Sequence, residues 1–518
     1  MATDCDAIVI GGGHNGLVCA CYLAKAGLKV LVLEKCSEIG GMTNTQEVTL
    51  PGFHTDTHAI CIQFANFSPV PNELGLADYG FELLHPDPCW SHPFPKGRAL
   101  TVYRDVDRTC ESISRFSQKD AETWRRLYQE FLVQKDAIGA SMNSPPSAAE
   151  PASPDQYRYA MQSLRSWCNE TFEAKETKCL ASAWGVHIGA SPDDIGGGSV
   201  ACLFSMVVQH FGNNVVRGGM RQLPLALAGY LEAHGGSIRL DSQVKCVLVE
   251  DGKAIGVELA DGEQVLCKQL IASSAHPRQL VLDLLGEQQV GPSIAQKMRR
   301  YELGEPVMVV YLALDRPPEF AAGGDVNQSV YAHCSEPTLE YFLRAFSESR
   351  AGHLPAHPFA LVCHDTAAEP SRAPAGKALM KLVVQPIPYR ITGDAAGQIT
   401  GHDWDSVKEA FADRVIDHLS KNYIPGLADS IAKRVVHSPC DIERLLPSAI
   451  EGTNTHGACW PYQFGAMRPI PELAGYRSPI NNVYLCGSGS HPGPGVTMAP
   501  GRNAAQVIYG DLGIDFKS

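Results

Sequence analysis

The sequence predicts an α/β fold in which a domain with a parallel sheet and a β-meander is joined to a second domain of mixed α+β structure. A β-branched run over 6–10 is followed by a glycine-rich turn and a helical stretch. After residue 236, short hydrophobic runs are separated by the pairs Asp251-Gly252 and Asp261-Gly262, which are hairpin signals. The length, 518 residues, also exceeds the roughly 250–300 residues that one core supports.

The amino-acid composition excludes a disordered protein and disfavours a nucleic-acid-binding protein. The chain is 44% hydrophobic and 19% charged, with a formal net charge of −13, which is typical of an ordinary globular protein and excludes disorder. No run of Lys or Arg could follow a phosphate backbone, so nucleic acid is not an expected partner. The cysteines fall singly in apolar segments, as in a reducing compartment.

The uncharged stretch 7–24 resembles a signal sequence or membrane span only at first sight. Asp4 and Asp6 precede it where a signal sequence has basic residues, and three consecutive glycines interrupt it. It is also too polar and too short for a span. We therefore expect a cytoplasmic protein.

The first glycine-rich turn reads Gly11-Gly-Gly13-His-Asn-Gly16, and the helix after it leads to a second strand, 29–33, that ends at Glu34. Strand, G-x-G-x-x-G, helix, strand and acid in this order are the fingerprint of a Rossmann-type dinucleotide-binding domain. Gly11 makes the turn, Gly13 lets the backbone approach a pyrophosphate, and Gly16 permits close helix packing. The Glu34 carboxylate is expected to accept hydrogen bonds from the ribose hydroxyls of the nucleotide. An acid at this position disfavours a bound 2′-phosphate.

A second glycine-dense turn lies near the C-terminus. A predicted strand, 482–486, leads into Gly487-Ser-Gly489-Ser-His491-Pro-Gly-Pro-Gly-Val496, and a helical stretch follows. A turn of this kind at a helix N-terminus binds phosphate or another anion. Between the two turns, a predicted helix opens at 217 and leads into the meander, whose predicted strands are 237–240, 244–250, 254–259 and 269–273.

The residues after Glu34 bring a resemblance to a known family. Gly40-Gly41-Met42 and the Thr-rich segment after it look like the FAD-binding N-terminus of the phytoene desaturase and amine oxidase group of flavoproteins. The C-terminal motif closely resembles that of phytoene desaturases and their relatives, including the pyridine nucleotide-disulphide oxidoreductase domain-containing proteins. The resemblance extends over nearly the whole chain, through 441–444, 452–457 and 468–469.

The resemblance implies FAD, not NAD, as the cofactor. It places the Val244 backbone against the adenine, and Gly487, Gly489 and Val496 against the pyrophosphate, the ribityl chain and the pyrimidine ring. The FAD-binding domain would comprise 1–70, 215–285 and 475–518, and the substrate or cap domain 71–214 and 286–474. The expected cofactor-binding residues are Gly11, Gly13, Gly16, Glu34, Gly40, Gly41, Met42, Val244, Gly487, Gly489 and Val496.

The remaining blocks predict the second domain. A helix begins behind the cap Ser117-x-x-Asp120, and the runs 305–314 and 378–385 predict strands. Val407 to Leu419 carry apolar residues at helical spacing. Residues 348–376, rich in Ala, Pro and His, predict a surface loop.

Two tempting sites are set aside. His54 and His58 with Cys61 have the chemistry of zinc ligands, but in the resembling family this segment passes beside the flavin, so no metal is expected. Gly196 to Gly198 follow an Asp-Asp loop, not a strand, and do not make a second nucleotide fingerprint. Without its own NAD(P) domain, the protein is expected to pass electrons to O₂, a quinone or another carrier, although nicotinamide could still enter the substrate pocket.

Three residues are candidates for catalysis. His456, in a Gly-flanked loop before the C-terminal motif, can exchange protons near neutral pH and is the first choice as base. Tyr462 could donate to a substrate carbonyl, and Arg468 could hold a carboxylate by a bidentate contact. His58 and His491 are interpreted as residues that shape the cofactor site.

Three functions stay open on the sequence alone. The first is an FAD-dependent dehydrogenase or oxidase that desaturates a C–C bond in an isoprenoid or in a ring next to a carbonyl. The second is a flavin amine oxidase, for which Trp460 and Tyr462 could supply part of an aromatic cage. The third is a non-catalytic binder like the Rab GDP-dissociation inhibitors. A monomer or homodimer is expected, and no basic amphipathic helix indicates membrane attachment.

Overall fold

A computed structural model of the chain describes residues 5–60, 62–146 and 153–516. In chain order the strands are β1 Cys5–Ile10, β2 Val30–Leu33, β3 Thr45–Gln46, β4 Thr55–Asp56, β5 Leu83–Leu84, β6 Trp90–Phe94, β7 Arg98–Val102, β8 Val215–Val216, β9 Ser237–Arg239, β10 Val244–Glu250, β11 Lys253–Leu259, β12 Gln264–Ser273, β13 Met308–Leu314, β14 Tyr331–Cys334, β15 His353–Leu354, β16 Ala360–Cys363, β17 Ala378–Val384, β18 Gly393–Asp394, β19 Ile431–His437 and β20 Val483–Leu485.

The helices alternate with these strands in the first third and last third of the chain and cluster between β7 and β8. They are α1 His14–Lys25, α2 Val70–Glu73, α3 Val106–Ser114, α4 Gln118–Met142, α5 Pro154–Met161, α6 Leu164–Thr171, α7 Lys175–His187, α8 Gly197–Phe211, α9 Gln222–Ala233, α10 Glu287–Val290, α11 Pro292–Arg299, α12 Leu339–Arg350, α13 Trp404–Asn422, α14 Pro439–Leu445 and α15 Ala499–Leu512.

The first large sheet is built from three distant parts of the chain. Its strand order is β10-β11-β12-β1-β2-β9, and β20 pairs with β12. β1 is parallel to both β2 and β12, and β20 is parallel to β12, whereas β10, β11 and the first half of β12 form an antiparallel meander. The predicted parallel sheet with a β-meander is therefore confirmed.

Helices α1, α9 and α15 cover one face of this sheet. They contribute most of a continuous core around Leu17, Leu23, Leu227 and Ile508, each with no exposed surface. Nearly every residue of α1 after its first turn is buried, as is typical of a helix enclosed in a core. One face of the first sheet is thus covered by three helices from distant parts of the chain.

The second large sheet has the order β19-β13-β17-β16-β14-β6-β7. Its pairs are antiparallel except β14 with β6. One face packs on α13 through residues such as Trp404 and Phe411. Helices α3 to α8 form a further layer with its own core around Trp124 and Trp184, and Ser117 caps α4 by accepting from Asp120 N at 3.1 Å, as predicted.

The other face of the second sheet binds the segment that follows the Gly40-Gly41 motif. Tyr311 on β13 donates its hydroxyl to Thr57 O, and Tyr331 on β14 donates to Ile60 O. The fully buried Lys381 on β17 donates to Asp56 O at 2.5 Å. Three strands of this sheet therefore hold one segment, whose Ala59 N in turn donates to Met42 O at 3.0 Å.

The prediction of a surface loop over 348–376 was wrong. This region contains the end of α12, the short strand β15 and the strand β16, which is wholly buried in the middle of the second sheet. β16 has only four residues, Ala-Leu-Val-Cys, and the Pro and His residues on either side of it hide the strand pattern. The boundaries of the two domains stay a prediction.

Within the described ranges, no helix has the length and apolar character needed to cross a bilayer. The cytoplasmic location stays a prediction.

Candidate functional site

The turn between β1 and α1 has an open side and a closed side. Gly11 has φ +96°, a conformation that favours glycine. A Cβ on Gly16 would lie 2.1 Å from Gly11 O and 2.9 Å from Ser274 Oγ, whereas a Cβ on Gly13 would meet no atom within 4 Å. Gly13 is the N-cap residue of α1, so the open side faces outward from a helix N-terminus, where anions bind.

Glu34 closes one end of this turn. Its Oε2 accepts from Gly12 N at 2.6 Å, and its Oε1 accepts from Cys36 N at 2.8 Å. These two backbone donors hold the carboxylate at the end of β2. The side chain lines the adjoining cavity, where the remaining lone pairs can accept from a ligand.

The Gly40-Gly41 motif lies on the same turn. Gly40 N donates to Gly12 O at 2.9 Å, and both glycines have positive φ, +113° and +54°. A Cβ on Gly41 would lie 3.7 Å from Gly13 Cα. The second motif therefore packs against the first and places Met42 on the cavity wall.

The C-terminal turn completes the enclosure from the far end of the chain. A Cβ on Gly487 would lie 2.5 Å from Ser274 O, so only glycine lets this turn approach the end of β12. Asn15 Nδ2 donates to Ser488 Oγ at 2.9 Å, which joins the two glycine-rich turns directly. Val496 has φ +52° and lines the cavity.

These segments enclose a cavity of about 480 Å³. Most of the residues predicted to bind the cofactor lie on its wall. Gly16 and Gly489 do not; a Cβ on Gly489 would lie 2.3 Å from Pro277 Cδ, so this glycine faces a neighbouring segment. The predicted residues on the wall are Gly11, Gly13, Glu34, Gly40, Gly41, Met42, Val244, His456, Gly487 and Val496.

His456 lies on the cavity wall with an imidazole that is nearly enclosed. The residue is 9% exposed and has φ +52°, and its buried Nδ1 has no partner among the described residues. Burial lowers the pKa of His456 to about 4, and the charges of Arg468 and His14 act in the same direction. The imidazole is therefore neutral near pH 7 and, within the described ranges, has a free acceptor position, but it is a weaker base than the near-neutral histidine expected from the sequence.

The structure does not bring Tyr462 or Arg468 to the cavity. Tyr462 is 60% exposed, and its hydroxyl donates to Glu302 at 2.8 Å; Trp460 Nε1 donates to the other oxygen of the same carboxylate at 2.8 Å. The Arg468 guanidinium is fully buried and contacts backbone carbonyls, not an open carboxylate site. Of the three catalytic candidates, His456 alone lines the cavity.

Reasoning from the sequence missed several site residues. His14 and Asn15 occupy the two variable positions of the fingerprint and line the cavity. His276 follows Ala275, a residue of the cavity wall, and its ring centroid lies 5.5 Å from that of His456. The fingerprint carries no signal for the first two beyond their position, and only the fold brings His276 to this place.

Of the other histidines that were considered, neither His58 nor His491 lines this cavity. His491 Nε2 contacts Ser141 O at 2.9 Å, and burial lowers the pKa of His58 to about 3. Cys61 lies outside the described residues. In the described ranges, no group of His, Cys, Asp and Glu could hold a metal ion. A Cβ on Gly198 would lie 2.6 Å from Trp167 Cβ, so the glycines at the start of α8 allow close packing with α6.

The shape and donor set of the cavity fit a dinucleotide with two ends. The helix N-terminus beside the open face of Gly13 suits a pyrophosphate, and the Glu34 carboxylate beside it suits ribose hydroxyls. The cavity runs on to the C-terminal turn, which bears Pro494, Gly495 and Val496 on its wall. A nucleotide that ended at its pyrophosphate would leave that far part unused.

The comparison with known families decides the class. The sequence pattern described as flavin containing amine oxidoreductase matches residues 16–508. The chain belongs to the flavin-containing amine oxidoreductase family. This amine oxidoreductase family member is an FAD-dependent oxidoreductase that acts on a small molecule and passes electrons to an acceptor, so the non-catalytic alternative is set aside.

Three curated relatives match this flavin-containing amine oxidoreductase along nearly its full length. Pyridine nucleotide-disulfide oxidoreductase domain-containing protein 2 of Rattus norvegicus is 30% identical over 565 residues, which covers 99% of this chain and 94% of the relative. A limonene dehydrogenase subunit from Castellaniella defragrans is 29% identical, with 99% and 96% covered. The lycopene-forming phytoene desaturase of Pseudescherichia vulneris is 25% identical, with 98% and 99% covered. The resemblance drawn from the motifs is confirmed.

Solved structures share the fold of this family member. An oxidoreductase from Methanosarcina mazei superposes with a TM-score of 0.61 at 16% identity, covering 98% of this chain and all of that one. Cyclohexylamine oxidase from Brevibacterium oxydans gives a TM-score of 0.58 at 17% identity, with 98% and 100% covered. At these identities the likeness concerns the fold alone.

Proposed function

We propose that this flavoenzyme dehydrogenates a neutral, largely apolar small molecule and forms a C–C double bond in an isoprenoid or in a ring next to a carbonyl. The observation that carries the proposal is that the aromatic pair considered for an amine cage, Trp460 and Tyr462, has both of its polar atoms bonded to Glu302. A site for an amine favours aromatic rings around the nitrogen, and neither residue of this pair lines the cofactor cavity.

The candidate aromatic pair does not support the amine alternative. Trp460 and Tyr462 direct their polar atoms to Glu302, and neither lines the cavity. The acids on the wall are Glu34, which is held by backbone donors, and Asp283.

The chain's own residues have three tasks in this reaction. The two glycine-rich turns and Glu34 hold the cofactor, and FAD, when bound, supplies a two-electron acceptor for the hydride of a C–H bond. His456 accepts the proton that leaves the neighbouring carbon, because its imidazole is neutral and its Nδ1 has no protein partner among the described residues. The third task is to shield the base from water, since His456 is only 9% exposed.

O₂ or a quinone-type carrier is the proposed electron acceptor. Among the described residues, a G-x-G-x-x-G turn joins a strand to a helix once, between β1 and α1, and the glycines at the start of α8 are packed against Trp167. A second dinucleotide site for NAD(P) therefore has no support in this part of the chain.

The test is anaerobic reduction of the FAD-loaded protein with a panel of substrates. We expect the flavin absorbance to bleach with a monoterpene, a longer isoprenoid or a cyclic ketone, and not with a primary amine. His456→Gln should slow bleaching by about 10²-fold to 10⁴-fold, and Tyr462→Phe is the matched control that should not. Bleaching by amines alone would replace the C–C proposal with amine oxidation.

A second arm identifies the acceptor. After bleaching, air is admitted to one sample and a soluble quinone to another. Rapid recolouring in air indicates an oxidase, and recolouring with quinone alone indicates a dehydrogenase. Recolouring only with NAD(P)⁺ would contradict the proposed acceptor.

A further inference from the structure

Arg468 is a fully buried cation with an unusual set of partners. Its guanidinium donates to Ser488 O at 3.1 Å, to Gly457 O and Ala458 O at 3.3 Å each, and to Thr455 O. Within the described ranges, no carboxylate forms an ion pair with it. A buried guanidinium that depends wholly on carbonyls is costly unless its geometry is kept, so all its contacts act together.

The carbonyls belong to two separate loops that both border the cofactor cavity. Three come from the loop 455–458, which carries His456, and the fourth comes from Ser488 in the C-terminal turn. The planar fork of arginine presents five donors in fixed directions. One side chain can therefore hold two loops at a fixed separation.

The loop 455–458 needs such support because its backbone is strained. His456 has φ +52° and Gly457 has φ +127°, and a Cβ on Gly457 would lie 2.0 Å from Tyr301 Oη. Tyr301 donates this hydroxyl to His456 O at 3.0 Å. A non-glycine residue in this region costs energy that surrounding contacts must offset, and Arg468 and Tyr301 supply those contacts.

We propose that Arg468 is the positioning residue of this site, where it holds the His456 loop against the Ser488 turn and so sets the imidazole relative to the cofactor. This inference rests on the proposed role of His456, but the contacts that carry it are independent of the substrate. It gives Arg468 a role inside the protein in place of the substrate carboxylate contact expected from its sequence.

The charge of Arg468 has a second effect on the same imidazole. After burial, Arg468 is the next cause that lowers the pKa of His456, and His14 follows. The ionisable groups that face His456 are Arg468, His14, His276 and Tyr301. Burial lowers the pKa of His276 and His14 as well, so Arg468 is the cation in this group at neutral pH.

The test compares three variants of the FAD-loaded protein. Arg468→Lys keeps the charge but loses the fork, and Arg468→Met loses both. Arg414→Met is the matched control, because Arg414 is also an arginine with little exposed surface, its side chain being 10% exposed, and it pairs with Asp394 at 2.6 Å on the α13 side of the second sheet. The readouts are FAD affinity and the titration of His456, followed by NMR of ¹³C-labelled histidine and assigned with His456→Gln.

Both Arg468 variants should bind FAD about tenfold or more weakly than the wild type, because the Ser488 turn loses its contact. In Arg468→Met the His456 titration should move up by about one pH unit or more, whereas in Arg468→Lys it should stay within about half a unit of the wild type. Arg414→Met should lower the free energy of unfolding and change neither readout.

Wild-type FAD affinity together with an unmoved His456 titration in Arg468→Met would overturn the proposal. If Arg468→Met does not fold, Arg468→Lys decides: wild-type FAD affinity in that variant would overturn it equally. Failure of the proposed function has a different signature. In that case His456→Gln bleaches as fast as the wild type, while the Arg468 readouts still respond as described.

Discussion

Two glycines of the first turn, three residues apart, should respond in opposite ways to the same added methyl group. Gly13→Ala places its Cβ in open space, since no atom lies within 4 Å, and its φ of −70° suits alanine. The gain from a stiffer unfolded chain, about 0.4–1 kcal/mol, is offset by the poorer helix N-cap that Ala makes. The free energy of unfolding of the cofactor-free protein should therefore change by no more than about 0.5 kcal/mol.

Gly16→Ala is the matched opposite. Its Cβ would lie 2.1 Å from Gly11 O, so the turn or the helix must move by about 1 Å. Overpacking of this kind costs about 1–3 kcal/mol, which should appear as a lower free energy of unfolding by urea denaturation even without the cofactor.

Gly13→Ala should have little effect on the free energy of unfolding but a clear effect on the binding of FAD. Its methyl group occupies the side of the turn where we place the pyrophosphate of FAD, and the same cost of about 1–3 kcal/mol then falls on binding. This corresponds to about 5-fold to 150-fold weaker binding, measured by titrating deflavinated protein with FAD. Wild-type FAD affinity in Gly13→Ala would refute the assignment of this cradle.

Two further predictions concern residues away from the cavity. Tyr462→Phe removes the hydroxyl bonded to Glu302 on a side chain that is 60% exposed; the free energy of unfolding should change by about 0.5 kcal/mol or less, and a large loss of flavin reduction rate would restore Tyr462 as a catalytic candidate. Burial raises the pKa of Asp394, but the hydrogen bonds from Arg414 and from backbone donors outweigh it and lower that pKa to about 2. Its stabilising effect is therefore present above the unfolded value near 4 and is lost as pH falls toward 2. Asp394→Asn should flatten acid unfolding in this range, and an unchanged acid slope in that variant would contradict it.

Local pattern predicted the first sheet well, because its elements follow rules that act over short stretches of chain. The predicted strands over 244–250 and 254–259 coincide with β10 and β11 to within one residue, and the Asp251-Gly252 pair makes the turn between them. The predicted strand 269–273 is the second half of β12. Its first half, with its bulge and polar residues, lacks the alternation that would extend the prediction.

The second sheet was harder to predict for a physical reason. β16 is wholly buried and short, so its residues show no alternation of polar and apolar character. β13 and β17 could be predicted because each is a largely apolar run of seven residues, and all seven are buried in the structure. A four-residue strand between Pro-rich and His-rich segments offers no such length.

The candidate site also contains residues that the sequence could place and residues that it could not. Residues inside motifs, such as Glu34 and Gly487, could be placed on the cavity wall from their neighbours in sequence. The surroundings of Arg468 could not, because its partners lie 10 to 20 positions away along the chain and its burial depends on how the loops fold. A motif predicts what lies next to it, and only the packed structure determines which loops share a side chain.

The first sheet combines strands from distant parts of the chain, and this determines when FAD can bind during synthesis. β20 adds to β12 only when residues 483–485 are present, and the turn after it provides the last part of the cavity wall. A nascent chain that has reached residue 300 holds the first turn and the meander but not the far end of the site. Such contacts between distant segments form late in folding. FAD can therefore bind fully only after residues 483–496 have been synthesised, and bound flavin reports that this segment has met the first glycine-rich turn.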